Sequence, residues 1–142
     1  MTQAGFLRVE NPQPTDENRP FWDAVNEHRF VLPRCRACEA YIWYPRSFCP
    51  QCQSTDVAWV EASGKGLIYA YTVSRRGTGP WRDVAPYVIS YVELDEGPRV
   101  LTNIVDCDPD QLAIGQRVEV AFDDGGEGYS MFRFRPAPGS PS

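Results

Sequence analysis

Cys35, Cys38, Cys49 and Cys52 constrain this chain more than any other feature: they form two Cys-x2-Cys pairs separated by ten residues. Each pair presents two thiolates from one tight turn, and two such turns complete a tetrahedral four-sulfur site. Soft thiolate ligands in that geometry select zinc, with iron in a one-electron redox centre as the alternative. A segment of about thirty residues buries too little apolar surface to hold itself together, so a metal there supplies folding free energy directly.

The surroundings suit such a site. Cys49-Pro50-Gln51-Cys52 and the aromatic run Tyr41-Ile42-Trp43-Tyr44 resemble rubredoxin knuckles. Arg34, Arg36 and Arg46 are close enough in sequence to soften the net negative charge of four thiolates on a divalent ion. The opening residues, Met1 to Phe6, lack a basic stretch followed by an apolar run, so no signal peptide is expected. Cysteines in that context favour metal over a disulfide framework and imply a cytosolic setting. No stretch approaches the length of a membrane span.

The chain has 142 residues and a net charge of -5. Nucleic-acid affinity depends largely on neutralising phosphates, so an acidic chain disfavours that partner class. Of its 14 cations only Lys65 is not arginine, the residue suited to bidentate contact with phosphate or carboxylate.

Residues 1–30 read as a polar arm with Pro12 and Pro14, then a helix over Thr15 to Arg29. Thr15 or Asp16 can cap that helix, Pro20 fits its first turn, and Phe21, Trp22 and Val25 share one side. Residues 31–62 hold the cysteine ribbon. The pattern then changes to period two, with strands expected over Leu67 to Val73, Tyr87 to Leu94, Val100 to Val105, Val118 to Phe122 and Tyr129 to Phe134. Asp95-Glu96-Gly97-Pro98 and an Asp-Asp-Gly-Gly run supply turns. Five strands with almost no helix predict a mainly β chain, a five-stranded OB-fold barrel over residues 63–136, and a flexible tail over 137–142.

No catalytic constellation emerges. Cys107 lies at the end of an expected strand among Asp106, Asp108 and Asp110, carboxylates that raise a thiol's pKa and so oppose nucleophilicity. His28, the only histidine, falls near the end of the first helix, where a cation is favoured, and no Ser-His-Asp or Cys-His set completes around it. One connection stands out instead. Arg75 to Pro86 is a twelve-residue link between strands, where hairpins use two to five. It carries Arg75, Arg76, Trp81 and Arg82, side-chain types enriched in binding hot spots.

An ordered set of short motifs then carries a resemblance. Phe21-Trp22, Cys35-Arg36-Ala37-Cys38, Tyr44-Pro45-Arg46, Cys49-Pro50-Gln51-Cys52, Trp59 to Gly66, Pro86-Tyr87-Val88, Glu96 to Arg99 and Ile114 to Val118 follow one another in that order. The order resembles the DUF35 family, which joins a rubredoxin-like zinc ribbon to an OB-fold. One departure is Glu39, where the family commonly has glycine after the second cysteine, so a left-handed turn there is strained.

The resemblance implies a chain that is no enzyme by itself, but a partner subunit of thiolase-superfamily enzymes acting on acyl-CoA. Such partners include a thiolase bridged to a hydroxymethylglutaryl-CoA synthase and an aldolase that removes a steroid-CoA side chain; the arginine-rich composition favours the aldolase version. The Arg-rich loop gives that implication a physical route, with Arg75, Arg76 and Arg82, beside Trp81, set to meet CoA phosphates or the partner's acidic residues, and the Phe21-Trp22 stripe is an alternative docking surface. A free-standing acyl-CoA-binding module, an OB-fold nucleic-acid binder and an iron redox carrier are the competing readings.

Overall fold

A computed structural model describes residues 12–78, 81–124 and 130–138. Most of the arm, Gly79 and Pro80 of the long connection, the glycines of the Asp-Asp-Gly-Gly turn through Tyr129, and the last four residues of the expected tail therefore lie outside the described residues. Among the described residues, no helix is long and apolar enough to cross a membrane.

The helix is shorter than its apolar pattern suggests: α1 spans Arg19–Asn26, with Pro20 in the first turn. Neither Thr15 nor Asp16 caps it. Asn18 holds the N-cap position without a side-chain bond to the helix. Its Oδ1 instead accepts from the Thr15 amide at 2.6 Å, and its Nδ2 donates to the Tyr44 hydroxyl at 2.7 Å. The segment before α1 is thus tied to the ribbon by a polar contact rather than wound into another helical turn.

Two short strands, β1 (Val31–Cys35) and β2 (Val57–Glu61), pair antiparallel and frame the cysteine segment. The expected barrel follows. Its strands are β3 (Lys65–Ser74), β4 (Tyr87–Leu94), β5 (Arg99–Ile104), β6 (Arg117–Asp123) and β7 (Met131–Pro136). They close in the order β3-β4-β5-β7-β6, with β5 and β7 parallel and the other neighbours antiparallel. Inward positions carry Val88, Val92, Leu94, Val100, Ile104, Val118 and Phe134, all buried, so alternation along each strand fills the core. Gly66 is required where β3 meets β4, because a Cβ there would collide with the Glu93 backbone carbonyl.

Ribbon and barrel share one core. Phe21 of α1 is completely buried, and its ring centroid lies 5.7 Å from Phe30, 5.2 Å from Trp43 and 5.4 Å from Phe132. Trp22 is buried beside it. This overturns the reading of Phe21-Trp22 as a docking surface. A short helix with an apolar stripe needs a partner to persist, and here the partner is the chain's own barrel. Edge-to-face packing of these rings joins helix, ribbon and β7 into one unit.

Candidate metal centre and the Trp81 loop

The two cysteine pairs fold as near copies of one turn. Cys35 ends β1, its amide donates to the Ala40 carbonyl at 2.9 Å, and its carbonyl accepts from the Glu39 amide at 2.8 Å. In the second turn the Cys49 amide donates to the Ser54 carbonyl at 2.8 Å, and its carbonyl accepts from the Gln53 amide at 2.7 Å. Each turn closes through a left-handed residue, Glu39 at φ 67° and Gln53 at φ 65°. The strain expected at Glu39 is therefore present. Replacing Glu39 with glycine is expected to raise stability by about 0.5–1 kcal/mol, the left-handed penalty less the entropy of a freer unfolded chain. Urea titration checks this, and a loss of stability would show that the Glu39 side chain makes a compensating contact.

These turns bring all four sulfurs within 4.8 Å of one another, with Cys35 Sγ 3.6 Å from Cys52 Sγ and Cys38 Sγ 3.6 Å from Cys49 Sγ. A tetrahedron with metal–sulfur bonds of about 2.3 Å has edges close to that separation. The four cysteines are therefore positioned to bind a metal, and the donor set fits zinc.

Electrostatics point the same way. The amide of Cys38, 3.4 Å from Cys35 Sγ, pulls the Cys35 thiol down to about 7. The Cys52 amide likewise lowers the Cys49 thiol. At Cys38 the Ala40 amide pulls downward, but the Cys49 sulfur and burial push the thiol up to about 12. Four clustered thiols resist losing all their protons unless a cation shares the site. The arginines are mostly engaged elsewhere: Arg34 donates to the Glu39 carbonyl at 3.0 Å and lies over Tyr41, and Arg36 faces Asp56 at 3.4 Å.

The remaining candidates are dispersed. Cys107 follows β5 in a turn, and its thiol is pushed up to about 11 first by burial, then by Asp108 and Asp106. The direction is the one expected from the neighbouring carboxylates, and burial is the larger cause. His28 sits past the helix end at φ 59°, with Nε2 2.6 Å from Asp124 Oδ2 and its ring stacked on Phe122. Asp124 also accepts from the Ser130 hydroxyl, so serine and histidine meet the carboxylate rather than each other. That arrangement ties Asp124 and Ser130, at the end of β6 and the start of β7, to His28 beyond the helix, and lacks the serine–base contact that nucleophilic catalysis needs.

The long loop joins β3 to β4 as expected, but its four named residues do not converge. Arg75 pairs with Asp110 at 3.1 Å, and Arg76 and Arg82 are exposed. Trp81 turns back and packs on Tyr87 with ring centroids 4.7 Å apart. Gly77 makes that fold possible, since a Cβ there would strike the Trp81 carbonyl. Beside Trp81 the structure brings Asn103 of β5 and Arg133 of β7, two residues the sequence reading did not single out. The available signal was alternation: Phe132 and Phe134 are buried in the core, which puts Arg133 between them on the other face of β7, opposite Ala121 of β6.

A four-thiolate ribbon sharing its core with a closed five-stranded barrel defines a ribbon-plus-OB-fold protein. Residues 22–58 match the rubredoxin-like zinc ribbon domain of ChsH2, and residues 59–123 match its C-terminal OB-fold domain. A DUF35 domain-containing scaffold protein from Methanothermobacter thermautotrophicus is 38% identical over 129 residues, covering 87% of this chain and 97% of its own. The chain belongs to the DUF35 family.

Two further likenesses bear on function. A probable enoyl-CoA hydratase alpha subunit from Thermomonospora curvata is 37% identical across 89% of this chain, which spans only 40% of that protein. A chain in the solved structure of an Ltp2-ChsH2(DUF35) aldolase is 35% identical, with a TM-score of 0.79, covering 89% of this chain and 98% of its own.

Proposed function

We propose that this chain is a non-catalytic accessory subunit that binds and completes a thiolase-superfamily enzyme acting on acyl-CoA thioesters, in its aldolase-type version. The observation that carries this reading is the likeness to the DUF35 chain of an aldolase assembly along nearly the whole length of both. A relative named as a scaffold protein supports it. So do the contacts of three candidates: His28 and Ser130 both meet the Asp124 carboxylate, and the Cys107 thiol faces the Ile104 carbonyl, an arrangement that joins neighbouring segments rather than a nucleophile and its base.

In this reading Cys35, Cys38, Cys49 and Cys52 hold a structural zinc ion. The metal fixes the two turns, the turns place Trp43 against Phe21, and Phe21 locks the ribbon to the barrel. The Arg75–Arg82 segment then offers cations to the partner's carboxylates or to the phosphates of acyl-CoA at a shared interface.

Charge reversal tests the segment. Arg75→Glu with Arg76→Glu is expected to leave the fold intact, because both side chains are exposed and the Arg75–Asp110 pair it breaks lies at the surface, where such pairs contribute little. It is expected to weaken binding of the partner enzyme or of acyl-CoA about tenfold or more. Unchanged binding in both assays removes the loop from the interface.

A further inference from the structure

The segment between β5 and β6 is held to the barrel through Ile68 of β3, whose amide donates to the Gln116 carbonyl at 2.9 Å and whose carbonyl accepts from the Gly115 amide at 2.8 Å. Between this segment and the end of β7 lies a cavity of about 230 Å³. Its lining includes Asp106, Cys107, Asp108, Leu112, Gln116 and Pro136, and no residue of β4 or of the β3–β4 connection. A water molecule's share of liquid volume is about 30 Å³, so the space suits a group the size of one long side chain rather than a whole cofactor.

At the mouth Asp106 and Asp108 are exposed, and neither has an ion-pair partner among the described residues. Asp110, two residues on, pairs with Arg75 instead. On the inner side Gln116 is only 5% exposed. The Ala113 amide donates to its Oε1 at 3.1 Å, which fixes the orientation of the side-chain amide. Its Nε2 meets no acceptor among the described residues, an uncommon state for a buried donor. Leu112 and Pro136 add apolar wall. Unpaired carboxylates call for a cation, and an unpaired N–H group calls for an oxygen acceptor. The oxygens of Asp106 and Asp108 and the sulfur of Cys107 do not converge as the four ribbon sulfurs do, which favours an organic cation over a single metal ion.

We infer that this cavity binds an alkylammonium group that carries a carbonyl oxygen. The ammonium meets Asp106 and Asp108, the alkyl arm lies on Leu112 and Pro136, and the oxygen accepts from Gln116 Nε2. The site is complete within one chain and is independent of the accessory-subunit reading. Two sources offer this chemistry, a lysine side chain of a peptide and a free amino amide.

Titration of the isotope-labelled full chain, followed by NMR, separates them. The probes are Nα-acetyl-lysine methylamide, which imitates a peptide, and 4-aminobutanamide. Saturable shifts at the Gln116 side-chain amide and at the backbone amides of Asp106 and Cys107 are expected with at least one, and the tighter probe names the source. Two controls each remove one contact: butylammonium lacks the oxygen, and 4-acetamidobutanamide lacks the charge. Each is expected to bind about tenfold more weakly or worse. Gln116→Glu is expected to erase the advantage of 4-aminobutanamide over butylammonium. Because Gln116 is buried, Asp106→Asn with Asp108→Asn serves as the second variant. Asparagine tolerates the left-handed backbone of Asp106, at φ 56°, and keeps the oxygen with which Asp108 accepts from the Asp110 amide, so the turn is expected to hold. Affinity for either ammonium probe is expected to fall about tenfold or more in that variant. Absence of saturation at up to about 10 mM of both probes, a control that binds as tightly as the probes, or a doubly substituted chain that binds normally would each overturn the proposal.

Discussion

Stripping the metal with a chelator, or replacing Cys49 with serine, is expected to unfold the ribbon and lower the melting temperature of the whole chain by on the order of 10 °C or more. The ribbon's own core consists of Cys35, Ile42 and Cys49, with Ala40 and Val57 half-buried against it. That cluster is too small to offset the entropy of ordering the two turns without a bound ion. The loss spreads because Trp43, which follows the first turn, packs on Phe21 and Phe132. Metal analysis alongside calorimetry checks this: one zinc per chain in the native protein and almost none in the variant. A red protein containing iron would replace zinc with a redox metal, and an unchanged melting temperature after chelation would remove the metal from the folding account.

The second large effect is expected at Phe21. Replacing it with alanine empties the centre of a cluster that includes Trp22, Phe30, Trp43 and Phe132. Loss of a fully buried phenylalanine costs about 3–5 kcal/mol, which for a chain of this size corresponds to a fall of roughly 10–20 °C in melting temperature. Phe21→Leu refills most of the space and is expected to cost less than about 1.5 kcal/mol. Hydrogen exchange adds the diagnostic readout: in Phe21→Ala, amides of β1 and β2 are expected to lose protection before those of β4 and β5. If Phe21→Ala keeps its stability while binding of a partner enzyme fails, the ring is a surface anchor and the buried cluster is misassigned.

Much of this molecule was legible in its residues, and what was not has identifiable causes. The spacing of Cys35, Cys38, Cys49 and Cys52 foretold a four-sulfur cluster, because two-residue spacers let one turn aim both thiols. Alternation in Tyr87 to Leu94, Val100 to Val105 and Val118 to Phe122 placed three barrel strands to within about one residue at each end. Helix limits were overextended, because Thr15 and Asn18 exchange hydrogen bonds that propensity cannot foresee. The paired strands β1 and β2 escaped notice: Pro33 and Arg34 interrupt the usual strand composition, and their pairing joins residues far apart in sequence. The aromatic stripe was recognised, but its direction was not. Whether Phe21 faces a partner or its own barrel depends on where Phe132 lies, and no local pattern carries that distance.

The same limit applied to the loop. Arginines and a tryptophan mark the Arg75–Arg82 segment as unusual, yet Trp81 lines a cavity with Asn103 of β5 and Arg133 of β7, which lie about twenty and fifty residues later in the chain. Long-range closure of the barrel, rather than motif content, sets that meeting. The Arg75–Asp110 pair likewise joins the loop to the turn after β5, and it leaves Arg76 and Arg82 as the segment's outward charges.

The most direct test of the accessory-subunit account is purification of the full chain at native level from its own host, followed by native mass spectrometry and identification of what accompanies it. The account predicts a stoichiometric hetero-oligomer with a thiolase-superfamily subunit, stable to washing and lost when Arg75 and Arg76 are reversed in charge. A chain that elutes alone, or that holds a stoichiometric partner of another enzyme class, would contradict it.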